Sequence, residues 1–255
     1  MKSLTFALFC ATICVAQTMA PVEIELMTYA EIHDAIHKNG KTTVLIYNGG
    51  TEQRGPHAVL GGHTFIARRA GADIARRLGN SLLAPVMPFS PADGHLNVNW
   101  PGTVTIPTAV FLSVNEAAVA SMVTNGFRYI ILMGDHGGAQ RNLETLAARL
   151  DAKYQPKGVR VLFCGAVYRS YGEFNEYLKQ NNLPIGTHAG ISDTSLLMYL
   201  GGSDWIRKDK LEAGSKQNGI NGDPRLSTAA IGKILYERKV SEAVNEIRKM
   251  MALKP

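Results

Sequence analysis

Short apolar runs alternate along this chain with longer segments in which apolar residues recur every three or four positions. The runs at residues 44–47, 81–89, 128–133 and 159–165 are typical of buried strands. Helical spacing is found at residues 28–36, 63–78, 107–124, 143–150, 168–178 and 241–250. Strands and helices alternate with no hairpin turn between them. This pattern predicts an α/β fold with a mostly parallel central sheet and helices on both faces.

The first 20 residues differ from the rest of the chain. Lys2 precedes a nearly all-apolar stretch at residues 4–15, and a run of small residues ends at Ala20. This order predicts a secretory signal peptide at residues 1–20, since the apolar stretch is shorter than the roughly 20 residues of a membrane helix. We therefore expect an exported protein, periplasmic or secreted, with no membrane association after cleavage. Residues 21–255 are expected to form a single domain.

Composition narrows the choice of partners. The formal charge is +6, and the basic residues occur singly or in pairs, without the interleaved aromatic residues of nucleic-acid surfaces. We expect no nucleic-acid partner and a small-molecule substrate, with a slight preference for an anionic one. Cys164 is the single cysteine beyond residue 20, so packing rather than an intrachain disulfide must stabilise the fold.

The loop after the first apolar run concentrates the residues that carry chemistry. It contains Glu52, Arg54, His57 and His63 among several glycines. Such a composition suits either a metal site or a solvated polar loop. His136 follows another predicted strand, and parallel strands place their carboxyl ends on the same edge of a sheet. Glu52, His63 and His136 around one ion would leave an open position for water, as in hydrolytic zinc sites.

Five segments, taken in order, resemble the signature segments of the creatininase (creatinine amidohydrolase) family. They read GGTEQRGPH with a glycine four residues later, WPGT, GDHGG, HAGxxDTS and GDPxxxT, and they span positions 49 to about 232. The resemblance implies a three-layer α/β/α sandwich and a metal-dependent hydrolase that cleaves a C–N bond in a small cyclic or linear amide. It also implies a homo-oligomer, a hexamer in many members.

The resemblance assigns roles to particular residues. Glu52 matches the first acidic ligand, and His136 matches the histidine ligand of the GHGG motif. His188 matches a histidine beside the scissile bond, where it would donate a proton to the leaving nitrogen. Asp193 stands where many members carry a ligand glutamate. It is expected to be either a fourth ligand or the general base that orients water.

Two departures from the family pattern change the expected metal content. Arg54 replaces a histidine that binds the second metal, and His63 replaces the bridging aspartate. We therefore expect one divalent ion per subunit, Zn²⁺ or alternatively Mn²⁺, held by Glu52, His63 and His136 with or without Asp193. Arg54 would bind a substrate carboxylate or stabilise an oxyanion.

Three further residues are candidates for the substrate pocket. His95 is expected to line the cleft, and Trp100 either shapes the pocket or anchors the WPGT turn. His57 supports the site or, beside Pro56, simply fixes a turn.

Two alternatives to the amidohydrolase stay open. The same site chemistry serves a lactone or another cyclic ester. The altered loop would also suit a lost metal site and a non-catalytic exported binding protein that keeps the cleft. Retention of Glu52, His136, His188 and Asp193 favours the enzyme, as does the replacement of an aspartate by His63, itself a good ligand.

Overall fold

The computed structural model describes residues 21–252, so the predicted signal peptide at residues 1–20 lies outside the described residues. The strands are β1 (Thr43–Asn48), β2 (Ser81–Leu83), β3 (Tyr129–Gly134) and β4 (Arg160–Phe163). The helices are α1 (Tyr29–His37), α2 (Gly62–Leu78), α3 (Thr108–Thr124), α4 (Gln140–Tyr154), α5 (Ala166–Gln180), α6 (Ile191–Trp205) and α7 (Ala229–Ala252).

The four strands form one parallel sheet in the order β2-β1-β3-β4. Thr43 pairs with Ser81 on one side and with Tyr129 on the other, and Tyr129 pairs with Arg160. Each connection between these strands contains a helix, as parallel pairing requires. The prediction of a mostly parallel sheet is confirmed.

Alternate residues of the strands face two hydrophobic layers. Leu45 and Met133 belong to a cluster that includes residues of α2, α5, α6 and α7. Ile46 and Leu132 belong to a second cluster, with residues of α1, α3 and α4. Because side chains alternate across a strand, the sheet lies between two layers of helices. The predicted three-layer α/β/α sandwich is therefore confirmed.

Two elements, β2 and α7, differ most from the sequence prediction. The apolar run at residues 81–89 forms only the three-residue strand β2. The strand ends early because the rest of the run contains Pro85 and Pro88, which have no backbone N–H to donate to a neighbouring strand. The last helix begins at Ala229, twelve residues before the predicted start. Its first half is apolar at Ile231 and Leu235, which are buried in the core.

The loop after β1 turns back closely onto α2. A Cβ on Gly49 would meet the backbone of Thr64 at 2.5–2.9 Å, so no larger residue fits this approach. Asn48, the last residue of β1, donates its carboxamide to Asn115 of α3 at 2.9 Å and to the carbonyl of Met133 at 3.0 Å. The carboxyl ends of β1 and β3 are thus fixed side by side, and the loop between β1 and α2 begins there.

Among residues 21–252, no helix is both long enough and apolar enough to cross a membrane.

Candidate metal and active site

One buried carboxylate is surrounded by four histidines. Glu52, in the loop after β1, has 1% of its surface exposed. Its Oε1 lies 3.0 Å from His63 Nε2 and 3.5 Å from His188 Nδ1. Its Oε2 lies 2.7 Å from His136 Nε2 and 3.3 Å from His95 Nε2. The four histidines come from α2 and three separate loops, and Glu52 comes from a fourth, so the folded sheet, rather than local sequence, assembles them.

The environment of Glu52 favours its ionised form. Burial by itself would raise the pKa of Glu52. The hydrogen bonds from His136 and His63, together with the charge of Arg54, outweigh burial and hold this pKa well below its ordinary value. Glu52 is therefore a carboxylate at neutral pH, the form that binds a metal ion.

His63 lies between two carboxylates. Its Nδ1 is 2.7 Å from Oδ2 of Asp135, and its Nε2 faces Glu52. Burial and the charge of Arg54 lower the pKa of His63, but the hydrogen bonds to Asp135 and Glu52 raise it by a larger amount. The net shift of this pKa is therefore upward. A histidine that gives its second nitrogen to a carboxylate is typical of metal-bound histidines. This arrangement supports His63 as a ligand, and that assignment stays a prediction.

His136 is fixed by the turn between β3 and α4. The Gly138 N–H donates to His136 Nδ1 at 3.0 Å, and Gln140 donates to the His136 carbonyl at 2.7 Å. Because Nδ1 accepts a hydrogen bond, Nε2 carries the proton that is donated to Glu52. If Nε2 of His136 bound a metal ion, this proton would leave Nε2, and the hydrogen bond from the Gly138 N–H to Nδ1 would be lost.

His95 joins the group of possible ligands. Glu52, His95 and His136 each offer an atom within 4.8 Å of the other two. The sequence analysis assigned His95 to the cleft, and it does line the cavity described below. Its part in a ligand group was missed, because it lies in an irregular loop with no ligand spacing around it. The ligand group that the described residues bring together is thus Glu52, His95 and His136, whereas the set with His63 in place of His95 stays a prediction.

Arg54 lies behind the site and not in the cavity. Its side chain is fully buried, with Nη2 3.5 Å from Glu52 Oε1 and Nη1 3.4 Å from Asp193 Oδ1. None of its side-chain nitrogens forms a hydrogen bond within the described residues. Burial would lower the pKa of Arg54, but Asp193 and Glu52 raise it, so the guanidinium stays charged. This position suits a fixed charge between two carboxylates better than direct contact with substrate.

His188 and Asp193 are held by the turn that precedes α6. The backbone N–H of Ala189, a residue with φ of 52°, donates to Asp193 Oδ2 at 2.8 Å. His188 Nε2 lies 2.8 Å from the carbonyl oxygen of Gln53 and 3.0 Å from the side-chain nitrogen of Gln53, and Nδ1 faces Glu52. Burial and the charge of Arg54 lower the pKa of His188 to about 4, so its ring is neutral at pH 7.

A cavity of about 720 Å³ opens beside this group. Its floor contains Glu52, and its lining includes the predicted site residues His63, His95, His136, His188 and Asp193. The α5 side contributes Tyr168, Tyr171 and Arg169. The volume falls within the range of small-molecule sites.

His57 and Trp100 do not line this cavity. His57 is fully buried and donates from Nε2 to Thr194 Oγ1 at 2.9 Å, so it braces the start of α6. Trp100 donates from Nε1 to the Gln217 carbonyl at 2.8 Å and borders a separate depression formed by its own loop. Both positions fit the structural alternatives that the sequence analysis gave for these residues.

A comparison with models of protein families shows to which family this chain belongs. The model for Creatininase (creatinine amidohydrolase) matches residues 25–247. The chain belongs to the creatininase family. The resemblance of the five sequence segments is thereby confirmed.

Individual relatives extend this result. The mycofactocin precursor peptide peptidase of Mycolicibacterium smegmatis is 27% identical over 232 residues, which cover 81% of this chain and 84% of the relative. A crystal structure of creatinine amidohydrolase superposes with a TM-score of 0.78 at 14% identity, over 92% of this chain and 99% of that one. At this identity the structural likeness shows the creatininase fold alone.

Metals occur in the names of two further solved creatininases. One is "Creatininase Mn", with a TM-score of 0.74 and 15% identity, and the other is a mutant of "Zn-Zn type", with 0.76 and 17%. Each covers 91% of this chain, and this chain covers 99–100% of each. Members of the creatininase family are metal-dependent amide hydrolases, and the described residues of this member include a group that could hold a metal ion.

Proposed function

We propose that this protein hydrolyses a C–N bond of a small amide or a short peptide at a single divalent metal ion. The observation that carries the proposal is Glu52, a buried carboxylate in contact with four histidines at the floor of the cavity. The peptidase relative supports an amide-type substrate. A divalent ion held by Glu52, His136 and His63 would polarise the amide carbonyl and lower the pKa of bound water.

The buried charges favour one ion over two. Glu52, Asp135 and Asp193 are faced by the cations Arg54 and Lys239. With neutral histidines this set carries one net negative charge, and one divalent ion changes it to one positive charge. A second divalent ion would leave three positive charges in a buried site, which is costly in a low dielectric. Arg54 thus provides within the chain the positive charge that a second metal ion would otherwise bring to the site.

Two side chains are proposed to act on the reacting atoms: His188 transfers a proton, and Asp193 orients water. Neutral His188 can take a proton on Nδ1 and deliver it to the leaving nitrogen, which is general base and then general acid catalysis. Asp193 lines the cavity and has its Oδ1 held by Arg54, so it can orient water. In this role the Nε2–H of His188 donates to the Gln53 carbonyl, so that Nδ1 is free to take the proton.

The charges of the cavity lining change the expected substrate. Arg54 does not reach the cavity, and the lining contains the carboxylates of Asp93 and Glu173 in addition to Glu52 and Asp193. Arg169 also lines the cavity, but it pairs with Glu246 at 2.8 Å. We therefore propose a neutral or cationic amide and no longer an anionic one.

Export and self-association are further proposals. Export rests on the composition of residues 1–20. Self-association rests on α3, whose sequence is apolar around most of its circumference although Val110 and Val114 are exposed. Size-exclusion chromatography with light scattering of the mature protein tests the second proposal.

The proposed function is tested by the metal content and turnover of the mature protein purified without chelators. We expect about one zinc per chain in the wild type and in the control His37→Ala, an exposed histidine of α1. We expect His63→Ala to lose the ion. A panel of dipeptides, cyclic amides and lactones then separates amide cleavage from ester cleavage.

Each of the other outcomes contradicts a stated part of the proposal. Two ions per chain would contradict the role given to Arg54. Turnover of lactones alone would replace the amidohydrolase by the ester hydrolase. A protein without metal and without turnover would be the exported binding protein.

A further inference from the structure

A buried chain of contacts leads from the last helix to the candidate metal site. Lys239, on α7, is fully buried and donates from Nζ to Asp135 Oδ1 at 2.8 Å. It also donates to the carbonyl of Val167, and Nζ lies 4.2 Å from the ring centre of Tyr171. Lys239 does not line the cavity, so it cannot touch a substrate there.

Asp135 divides its two oxygens between α7 and the metal site. Oδ1 accepts from Lys239 and from the Tyr47 hydroxyl at 3.1 Å, whereas Oδ2 lies 2.7 Å from His63 Nδ1. The buried ammonium of Lys239 and the Tyr47 hydroxyl both face Oδ1 as donors, so Asp135 serves as a carboxylate in the folded protein. Asp135 is thus an acceptor only, and His63 Nδ1 must be the donor.

The fixed proton on Nδ1 determines what the other nitrogen offers. Nε2 of His63 points at Glu52 Oε1 from 3.0 Å. Both atoms bring a lone pair to this gap, so a proton or a metal ion has to lie between them. Asp135 therefore selects the state of His63 in which Nε2 and Glu52 together face a cation.

We propose that Lys239 is a positioning residue for metal binding, acting through Asp135 on His63. The inference rests on the proposed function, because it assigns a role at the same site. Lys239 holds Oδ1, so Asp135 keeps Oδ2 on the imidazole, and the imidazole keeps Nε2 on the metal side. A buried ion pair is a weak means of stabilising a core, since apolar residues often serve as well. Orientation of His63 is a function that apolar residues could not replace.

The experiment measures zinc affinity and the tautomer of His63 in four variants. Lys239→Met, Asp135→Asn and the double variant are compared with Lys233→Met, an exposed lysine on the same helix. Zinc dissociation constants come from chelator competition, and two-bond ¹H–¹⁵N NMR spectra show which ring nitrogen of His63 carries hydrogen. Circular dichroism and thermal unfolding check the fold of each variant.

We expect Lys239→Met and Asp135→Asn to weaken zinc binding by about 10- to 100-fold, the usual effect of losing a partner of a metal-bound histidine. The number of ions per chain should not change. The double variant should lose no more than the larger single loss, because both residues act through one contact. Lys233→Met should bind zinc like the wild type. Nδ1 of His63 should carry hydrogen in the wild type, with or without zinc, and should lose it in part of the Lys239→Met molecules.

Two results would overturn the inference. One is zinc affinity in folded Lys239→Met within about twofold of the wild type, well short of the usual loss. The other is a pair of single losses that add fully in the double variant. If Lys239→Met does not fold, the double variant takes its place, because it removes both buried charges and leaves neither one unpaired. An unchanged state of the His63 ring in the double variant would then overturn the inference.

Hydrogen on Nδ1 of His63 can be measured with or without bound metal. A wild type that binds no zinc would defeat the proposed function, whereas the His63 spectra would still decide whether Lys239 and Asp135 orient the ring.

Discussion

The rings of His95 and His188 stack with their centroids 4.3 Å apart and an angle of 29° between their planes. This contact joins a possible metal ligand to the residue proposed to carry the proton. His95 keeps 27% of its side chain exposed, whereas 9% of the His63 side chain is exposed. The two candidates for the third ligand therefore differ in how firmly they are held.

Substitution of each histidine tests which of them binds the ion. We expect His63→Ala to lose zinc, because Asp135 fixes the His63 ring against Glu52. We expect His95→Ala to retain about one zinc per chain, with a lower turnover through the lost stacking on His188. Elemental analysis and steady-state kinetics measure both effects. The reverse pattern of metal loss would assign the ion to Glu52, His95 and His136.

Removal of the Arg54 charge should strongly destabilise the protein. Arg54→Met would leave Glu52 and Asp193 without their buried cation, and breaking a buried pair costs about 3–5 kcal/mol. Urea unfolding of chelator-treated protein measures the loss. Arg149→Met, which breaks an exposed pair with Glu116, is the control and should shift the midpoint far less. Equal shifts in the two variants would argue against the role of Arg54.

Acid should weaken the fold through His57. Burial and the charge of Arg54 lower the pKa of His57 from 6.5 to about 4. Between these values the unfolded chain binds a proton that the folded protein does not, so stability is lost as the pH falls from 6.5 towards 4. From about pH 7.5 to about pH 5 the share of His57 is about 2 kcal/mol.

The His57→Gln variant should lose less stability than the wild type over this range. Gln can still donate to Thr194 but has no titrating group. Exposed His37→Gln should keep the wild-type pH dependence. The measurement is urea unfolding at several pH values, and it compares slopes rather than absolute stabilities. An unchanged slope in His57→Gln would show that His57 titrates normally in the folded protein.

The contact between α6 and α7 depends on a glycine. A Cβ on Gly232 would overlap the carbonyl oxygen of Ser195 in α6. Gly232→Ala should therefore separate the two helices and lower the thermal midpoint. Gly172→Ala in α5 is the matched control, since a Cβ there meets nothing within 4 Å and alanine is favoured in helices by about 0.5–1 kcal/mol. Destabilisation of both variants alike would contradict this explanation.

The convergence of Glu52, His63 and His136 could be predicted because it follows from topology. Each residue follows, directly or after one loop, a strand of the parallel sheet, and such strands end on one edge. Periodicity alone was enough to identify β1, β3 and their helices. It was insufficient for α7, whose first half carries apolar residues that the sequence analysis left unassigned.

The contacts behind the site could not be predicted from local patterns. Lys239 and Asp135 are 104 positions apart, and a single lysine in an amphipathic helix ordinarily faces solvent. The full burial of Arg54 depends in turn on Gly62, where a Cβ would come within 2.9 Å of the Arg54 Nε. Such a fit depends on close packing of the folded chain, so the hydrophobic periodicity of the sequence does not reveal it.

If Lys239 orients His63 as proposed, its contact with Asp135 also determines when the site can form. A chain that is still being synthesised reaches position 135 long before position 239, and until α7 docks, Asp135 has no cation to neutralise it. The orientation of His63 is therefore among the last features to form. Capture of the ion would then report that the chain has folded as far as α7, and not merely through its first half.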